Sequence, residues 1–590
     1  MARLPPGILF LIQNSVTVVV PPAVVYAVLT WQHYLNLSCT LVWTLTLASA
    51  PLFVAARISQ RYRAIYRAAS RAGAILPPRW DGKLPGHFDV MQEMVDTLNK
   101  GYPGDFAWPQ FMKQGPTVQT NILWDPMYIT CDPNVIKTIL ATEFDNYVKG
   151  ETFSGFMSPL LGTGVFNSDG ESVIVFHRAM TRPFFSKDKI SHFELFDKRA
   201  DLAIKKMCHR FRSGAAIDFQ DLVSRFTLDS ASEFLFGFCV DSLGSTPQIT
   251  TEGSLMDDAT QVITARRFAT AFQEAEHVCS ERAWRGWIWP LFETLENKST
   301  SHMKVVDEFL KPIIKDALKK KAASADARRG QSGADKDDKE TFLENLVQYT
   351  SDPVILHDEV LNILLAGRDT TASTLTFAVY LLCEHPDVLT RLRSEIFQKV
   401  GRSGRPTYED IKEMKYLRAV INETLRLYPA VPFNMRYAVE EGFLPNTDPK
   451  GKPFYVPPGT PVSYYPFVMH RNTDYWGPDA MEFDPDRFLD ERLNKYLVPN
   501  PFIFLPFNAG PRICLGQQFA YNEVSFFLIK LLQRFDSMSL DLEAQPPESL
   551  PPRAWSSAWG RKSIEKIWPK VHLTLYVNGG LWVKMIEVAD

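Results

Sequence analysis

The longest uninterrupted hydrophobic pattern lies at the N-terminus. Between Arg3 and Arg57 there is no Lys, Arg, Asp or Glu, and His33 is the one imidazole. A bilayer crossing needs about 20 apolar residues, so this 53-residue stretch has room for two. The pattern predicts spans over 8–30 and 35–56 with a turn at 33–38, although Gln13, Asn14 and Pro21-Pro22 weaken the first. Residues 117–130 alternate around Asp125-Pro126 and predict a β-hairpin. Asp132-Pro133 then opens a short helix running to Ala141. From about 177 to 400 the spacing is helical, interrupted by a charged, low-complexity loop at 319–340. Near the C-terminus, 571–577 and 581–585 alternate about Asn578-Gly579-Gly580, which predicts a second hairpin. The expected fold class is mainly α with small β-sheets, preceded by an N-terminal transmembrane anchor.

Charge gives the anchor an orientation. Arg57, Arg61, Arg63, Arg67, Arg71 and Arg79 follow the apolar stretch with no acid before Asp81. Such a flank stays on the cytosolic side, which places the remainder of the chain in the cytosol. Two spans leave Arg3 there as well; one span puts it in the lumen. A cleaved signal peptide is the rival, since Ala48-Ser49-Ala50 has small-residue character. Pro51 and the excessive apolar length favour an anchor. The expected division is 1–76, anchor and basic juxtamembrane segment, and 77–590, catalytic domain, with the Pro- and Gly-rich 76–86 as a stiff hinge. Trp284, Trp287 and Trp289 form an aromatic cluster suited to a membrane interface, with core packing slightly preferred.

Composition narrows the classes. Forty-five per cent hydrophobic and 22 per cent charged residues exclude a disordered or collagen-like chain. The net charge of −3 gives no reason to expect a nucleic-acid partner. Seven scattered cysteines without a CxxC indicate neither a disulfide framework nor structural zinc, and suit a reducing compartment.

One cysteine stands apart. Phe507, Gly510, Arg512, Cys514 and Gly516 form FxxGxRxCxG, followed by an apolar helical stretch through Phe535. From average residue usage, five such fixed residues arise by chance in roughly one chain of this length in ten thousand. Gly510 permits a tight turn, and Gly516 lets a flat cofactor approach the backbone. Arg512 supplies a permanent cation for a cofactor carboxylate. A thiol just before a helix has its thiolate favoured by free N–H groups. The set suits one axial thiolate on haem iron.

With these residues the sequence resembles the cytochrome P-450 family of haem-thiolate monooxygenases, over roughly 80–590. Ala366-Gly367-Arg368-Asp369-Thr370-Thr371 is similar to the family's motif on a kinked helix crossing the oxygen-binding face. The resemblance assigns oxygen activation to Thr370 and Asp369; without it, Thr370 is only a hydroxyl bonding back to its own helix. Glu423 and Arg426 form ExxR, and 483–488 (FDPDRF) nominates Arg487 as third member of a buried structural network. Arg436 stands where the family places a haem-propionate partner. Arg178 keeps half of the family's WxxxR, with Ile174 where Trp is expected. RPFF at 182–185 and NETLRLYP at 422–429 are most similar to fungal microsomal hydroxylases of alkanes, fatty acids and hydrophobic xenobiotics.

The resemblance implies haem b (iron protoporphyrin IX) and insertion of one atom of O2 into C–H bonds. No flavin or nicotinamide segment follows the haem motifs, so electrons from NADPH are expected through a separate NADPH–cytochrome P-450 reductase, with a cytochrome b5-type donor as a second source. Endoplasmic reticulum membrane is the expected location. The expected pocket lining is Phe153, Phe156, Met157, Leu160 and Leu161, with Ala430, Val431, Pro432 and Phe433, and no basic residue stands out as a substrate clamp. Two alternatives stay open: a family member rearranging hydroperoxides without electrons, and a haem-binding protein without turnover.

Overall fold

The apolar N-terminus folds into two helices, Pro6–Trp31 and Cys39–Arg71. Both are long and apolar enough to cross a membrane, and their hydrophobic surfaces are almost wholly unburied. They pack on each other, with Tyr26 and Trp43 rings 5.5 Å apart. The computed structural model describes residues 4–31, 37–185, 193–244, 256–328 and 341–588. Most of the predicted turn at 33–38 therefore lies outside the described residues. The second helix does not end at Ala56. It runs on through the arginine cluster to Arg71, about 50 Å in all at 1.5 Å per residue.

The segment after it, expected as a stiff hinge, is pinned to the sheets on either side. Ile75 N–H donates to Pro453 O (3.0 Å), and its carbonyl accepts from Tyr455 N–H (2.7 Å). Trp80, buried, donates its N–H to Gln119 O at 2.7 Å. The tryptophan cluster divides its roles. Trp284 packs its ring on Phe433, 4.8 Å between centroids, whereas Trp287 meets Phe10 of the first apolar helix at 5.9 Å. Gly7 N–H also donates to Glu293 O at 3.1 Å, and a Cβ there would lie 2.5 Å from Pro290 O. The first apolar helix thus rests directly on the body of the fold.

The remainder is mainly helical, with four small sheets among the described residues. The largest has strand order Thr117–Ile122, Asp125–Thr130, Pro461–Tyr464, Asn434–Ala438, Tyr147–Val148. The first hairpin exists, but its turn is Leu123-Trp124, both at positive φ (50° and 70°). Asp125-Pro126 falls in the strand instead, because Gly86 O holds Leu123 N–H at 2.9 Å. The predicted C-terminal hairpin does not form. Leu575–Val577 pairs back with Pro569–Val571, and Trp582–Glu587 pairs with Phe535–Leu540 and Ile217–Asp218. Asn578-Gly579-Gly580 still turns, with both glycines at positive φ, but Asp218 captures Leu581 N–H at 3.0 Å and diverts the chain. Of the expected loop at 319–340, residues through Arg328 continue the helix Thr300–Arg328, and 329–340 lie outside the described residues.

Pro353–Glu384 is the central helix, 32 residues long. Asp352 accepts from Val354 N–H, and Pro353 sits where its missing donor costs nothing. The central helix is helical without interruption through 366–371. Phe219–Phe236, Lys415–Leu427 and Gln517–Arg534 pack around it. Residues such as Leu375, Phe377, Val420 and Phe527 are wholly buried there, each contributing roughly 1.5–3 kcal/mol by leaving water.

ExxR is not a surface pair. Arg426 donates to both Glu423 oxygens at 2.6 and 2.7 Å, and to the His470, Ala480 and Glu482 carbonyls. Arg487 completes the group 3.3 Å from Glu423. This network locks Lys415–Leu427 onto the segment that leads into the Cys514 loop.

Candidate functional site

A predominantly apolar cavity of about 650 Å³ lies between the central helix and the loop leading into Gln517–Arg534. Cys514, Phe507, Arg512 and Gly516 form part of its lining, as do Ala366, Gly367, Thr370 and Thr371. The two motifs that the sequence singled out, 144 positions apart, therefore line one space.

The loop geometry explains its glycines. Asn508 and Gly510 take positive φ (62° and 67°). A Cβ on Gly510 would sit 1.8 Å from Leu140 O. Cys514 N–H donates to Phe507 O at 3.0 Å, closing the turn. At Gly516 a Cβ would meet only Phe185 at 3.7 Å and Cys514 Sγ at 4.0 Å, so its absence leaves a flat approach to the sulfur.

Cys514 is open to the cavity yet deep within the protein. Burial pushes its thiol up, opposed by the Gly516 N–H and by Arg178. The Gly516 N–H, at the cap of Gln517–Arg534, is a donor of the kind expected before a helix, and desolvation works against it.

Positive charge collects on the same wall. Arg436, buried in its strand, donates to Met435 O at 2.7 Å and Asn434 Oδ1 at 3.0 Å. Arg512 donates to Asp169 at 2.8 Å and Ser168 O at 3.2 Å, while its buried Nε has no partner. Arg178 reaches Ile513 O at 3.1 Å from Glu171–Thr181; the side chain of Ile174 lies outside the described residues. Sequence reasoning missed Lys149. Its ammonium is held well below the usual lysine range by burial and by Arg436 and Arg512. Asp169, accepting from Lys149 and Gly150 N–H, answers Lys149 and Arg512; among the described residues no carboxylate pairs with Arg436 or Arg178. An isolated lysine before a glycine carried no signal of its own.

Across the cavity, Thr370 Oγ1 donates to Ala366 O at 2.6 Å. Asp369 lies beside Arg368, 3.4 Å away. Phe153, Phe156, Met157, Leu161, Ala430, Val431 and Phe433 line the space as expected; Leu160 and Pro432 are packed elsewhere. Arg61, on the second apolar helix, also borders the cavity and pairs with Asp125.

Residues 90–563 match the family model for cytochrome P450. Cytochrome P450 52A10 of Candida maltosa is 40% identical over 431 residues, covering 71% of this chain and 78% of that protein. Cytochrome P450 52A13 of Debaryomyces hansenii is 36% identical over 506 residues, 84% and 89% of the two chains. Cytochrome P450 monooxygenase pvhE of Talaromyces variabilis is 36% identical over 448 residues, 72% and 77%. The chain belongs to the cytochrome P450 family, and with it to the monooxygenases that use haem b, O2 and electrons derived from NADPH.

Proposed function

We propose that this chain is a membrane-anchored monooxygenase that oxidises C–H bonds of long-chain alkanes, fatty acids or related aromatic xenobiotics. The observation that carries the reading is the cavity. Its cations other than Arg61 gather on the Cys514 wall, and its remaining lining is predominantly apolar. Haem fits that wall. An open sulfur faces the flat approach at Gly516, and three arginines with Lys149, whose ammonium lacks enough counter-charge, suit a group with two carboxylates of its own.

In this reading Cys514 is the iron ligand. Arg178, Arg436, Arg512 and Lys149 hold the haem carboxylates, while Phe507, Gly510 and Gly516 shape the loop. Bound haem supplies the oxidising chemistry on O2. The chain itself excludes water with its aromatic lining, orients an apolar chain, and handles protons at Thr370 and Asp369. Electrons arrive from NADPH through a membrane-bound cytochrome P450 reductase, with a cytochrome b5-type donor as auxiliary. Residues 1–76 form the anchor, a two-span hairpin in the endoplasmic reticulum membrane, and 77–590 the cytosolic catalytic domain. Trp287 lines the cavity and touches the first apolar helix, which supports uptake of substrate from the bilayer.

Substrate-binding difference spectra across alkanes and fatty acids of increasing chain length test this. Affinity should strengthen by up to about 0.8 kcal/mol per buried methylene until the cavity is full. No response at any length would overturn the substrate class. Cys514→Ser should remove the carbon-monoxide band characteristic of thiolate ligation, and its persistence would displace Cys514 from the iron.

A further inference from the structure

Beside Thr370, three ionisable side chains from two helices meet. Glu276 comes from Met256–Arg285, and Arg368 and Asp369 come from the central helix. Arg368 Nη1 lies 3.4 Å from Asp369 Oδ1 and 4.0 Å from Glu276 Oε2. The Arg368 and Glu276 side chains are each 9% exposed, and Asp369 is 17% exposed. Two carboxylates with one guanidinium would leave an uncompensated negative charge in a region of low dielectric. With both carboxylates ionised, Glu276 Oε1 is buried without a partner. One proton between the acids removes the excess charge, and the protonated carboxyl donates to its neighbour. Burial and the adjacent Asp369 push Glu276 well above the ordinary carboxylate range, in agreement with that geometry.

Two histidines adjoin the pair. His572 lines the cavity and feels the charge of Asp369. Its ring stacks on Tyr576 at 4.2 Å and meets the His277 ring edge-on at 5.1 Å. His277 is half-exposed, next to Glu276 in sequence, and faces Glu281 at 3.6 Å. Burial, His277 and Lys570 lower His572 to about 4, so it stays neutral near neutral pH and can accept on one nitrogen while donating from the other.

We propose that Glu276 and Asp369 hold one proton between them and pass it to Thr370, and that the His277–His572 pair replaces it from solvent. Each proton delivered is followed by one taken up, so the pair returns to its singly protonated state. Glu276 acts through Asp369 and is a positioning residue. The inference rests on the monooxygenase reading for the use of the proton, but not for its presence.

The experiment uses the full-length, haem-loaded protein. In infrared difference spectra between H2O and D2O, the wild type should show a protonated-carboxyl band that Glu276→Gln removes, leaving the contribution of Glu523, a second buried carboxyl, on Gln517–Arg534. In turnover, Glu276→Gln should lower product per NADPH by about tenfold and enlarge the solvent isotope effect, with KM unchanged. Glu276→Asp should recover most of the yield. His572→Gln should enlarge the isotope effect while keeping the infrared band. An unchanged band in Glu276→Gln overturns the shared proton. A wild-type isotope effect in both glutamine variants overturns the relay. If the wild type itself forms no product, the monooxygenase reading fails, and the infrared band still decides the shared proton.

Discussion

The charge clusters around Glu423 and around Glu276 use the same residue types at similar burial, to opposite ends. Glu423, Arg426 and Arg487 have wholly buried side chains, and both arginines spread their donors over carboxylate and backbone oxygens. Asp484 N–H adds another bond to Glu423 at 3.0 Å. Around Glu276, one arginine faces two carboxylates at longer range, and polar atoms of Glu276 and Arg368 stay unpartnered. A saturated network resists any change of protonation, since removing a charge strands its partner. A network with one charge too many exchanges a proton at little cost. The first arrangement suits a scaffold under the Cys514 loop; the second suits a place where protons pass.

The comparison is most open to failure in stability. Arg426→Ala leaves the buried Glu423 with Arg487 alone, at 3.3 Å, and should cost about 3–5 kcal/mol, with a large fall in thermal midpoint and poor retention of haem. Glu276→Gln should change stability by less than about 1 kcal/mol, because the shared proton already makes that site part-neutral. Thermal unfolding of the two variants side by side checks this. Equal losses would erase the distinction.

Glu523 sharpens it, as a buried carboxyl with no paired cation among the described residues. It stands on Gln517–Arg534 against the Thr371 and Ser230 hydroxyls, and burial pushes it up to about 8 from 4.5. The folded state therefore binds this proton more tightly than the unfolded state. Its contribution is complete below the unfolded value and is lost as pH rises from about 4.5 to about 8. At roughly 1.4 kcal/mol per unit, the loss amounts to a few kcal/mol. Glu523→Gln should flatten that decline, gaining on the wild type at alkaline pH but not near pH 5. Denaturant midpoints at both ends of the interval check the sign; parallel curves would mean the carboxyl is ionised throughout.

What the sequence revealed depended on how local the constraint was. The Cys514 loop was legible because its residues answer to a turn within ten positions, and Gly510 has no substitute beside Leu140 O. ExxR was legible as a pair, but its burial needed the chain at 470–487. Where the partner came from far away, local signals misled. The first hairpin turns on Leu123 and Trp124, which no turn preference favours, and the Asn578-Gly579-Gly580 strands separate because Asp218 intervenes. Lys149 and Glu276 carry no motif. Their meaning comes from neighbours more than 90 residues distant, Arg436 and Arg512 for one and Asp369 for the other.

The smallest expected effect sits at Thr370, where the two clusters' logic meets the cavity. Its hydroxyl bonds only to its own helix, at Ala366 O, so Thr370→Ala leaves no distant group unpartnered. Alanine is also the better helix former, and thermal stability should be nearly unchanged. Haem retention should be unaffected too, since Cys514 and the cation cluster belong to other elements. What should fall, by about tenfold, is product per NADPH, with peroxide making up the difference. Unchanged product per NADPH would remove Thr370 from proton handling. The double variant with Glu276→Gln carries more information than either alone. Two residues on one proton route cannot each remove it in full, so their losses should combine to much less than the sum of the separate free energies. Fully additive losses would place Glu276 on a different path from Thr370, and would detach the buried carboxyl pair from the chemistry of the cavity.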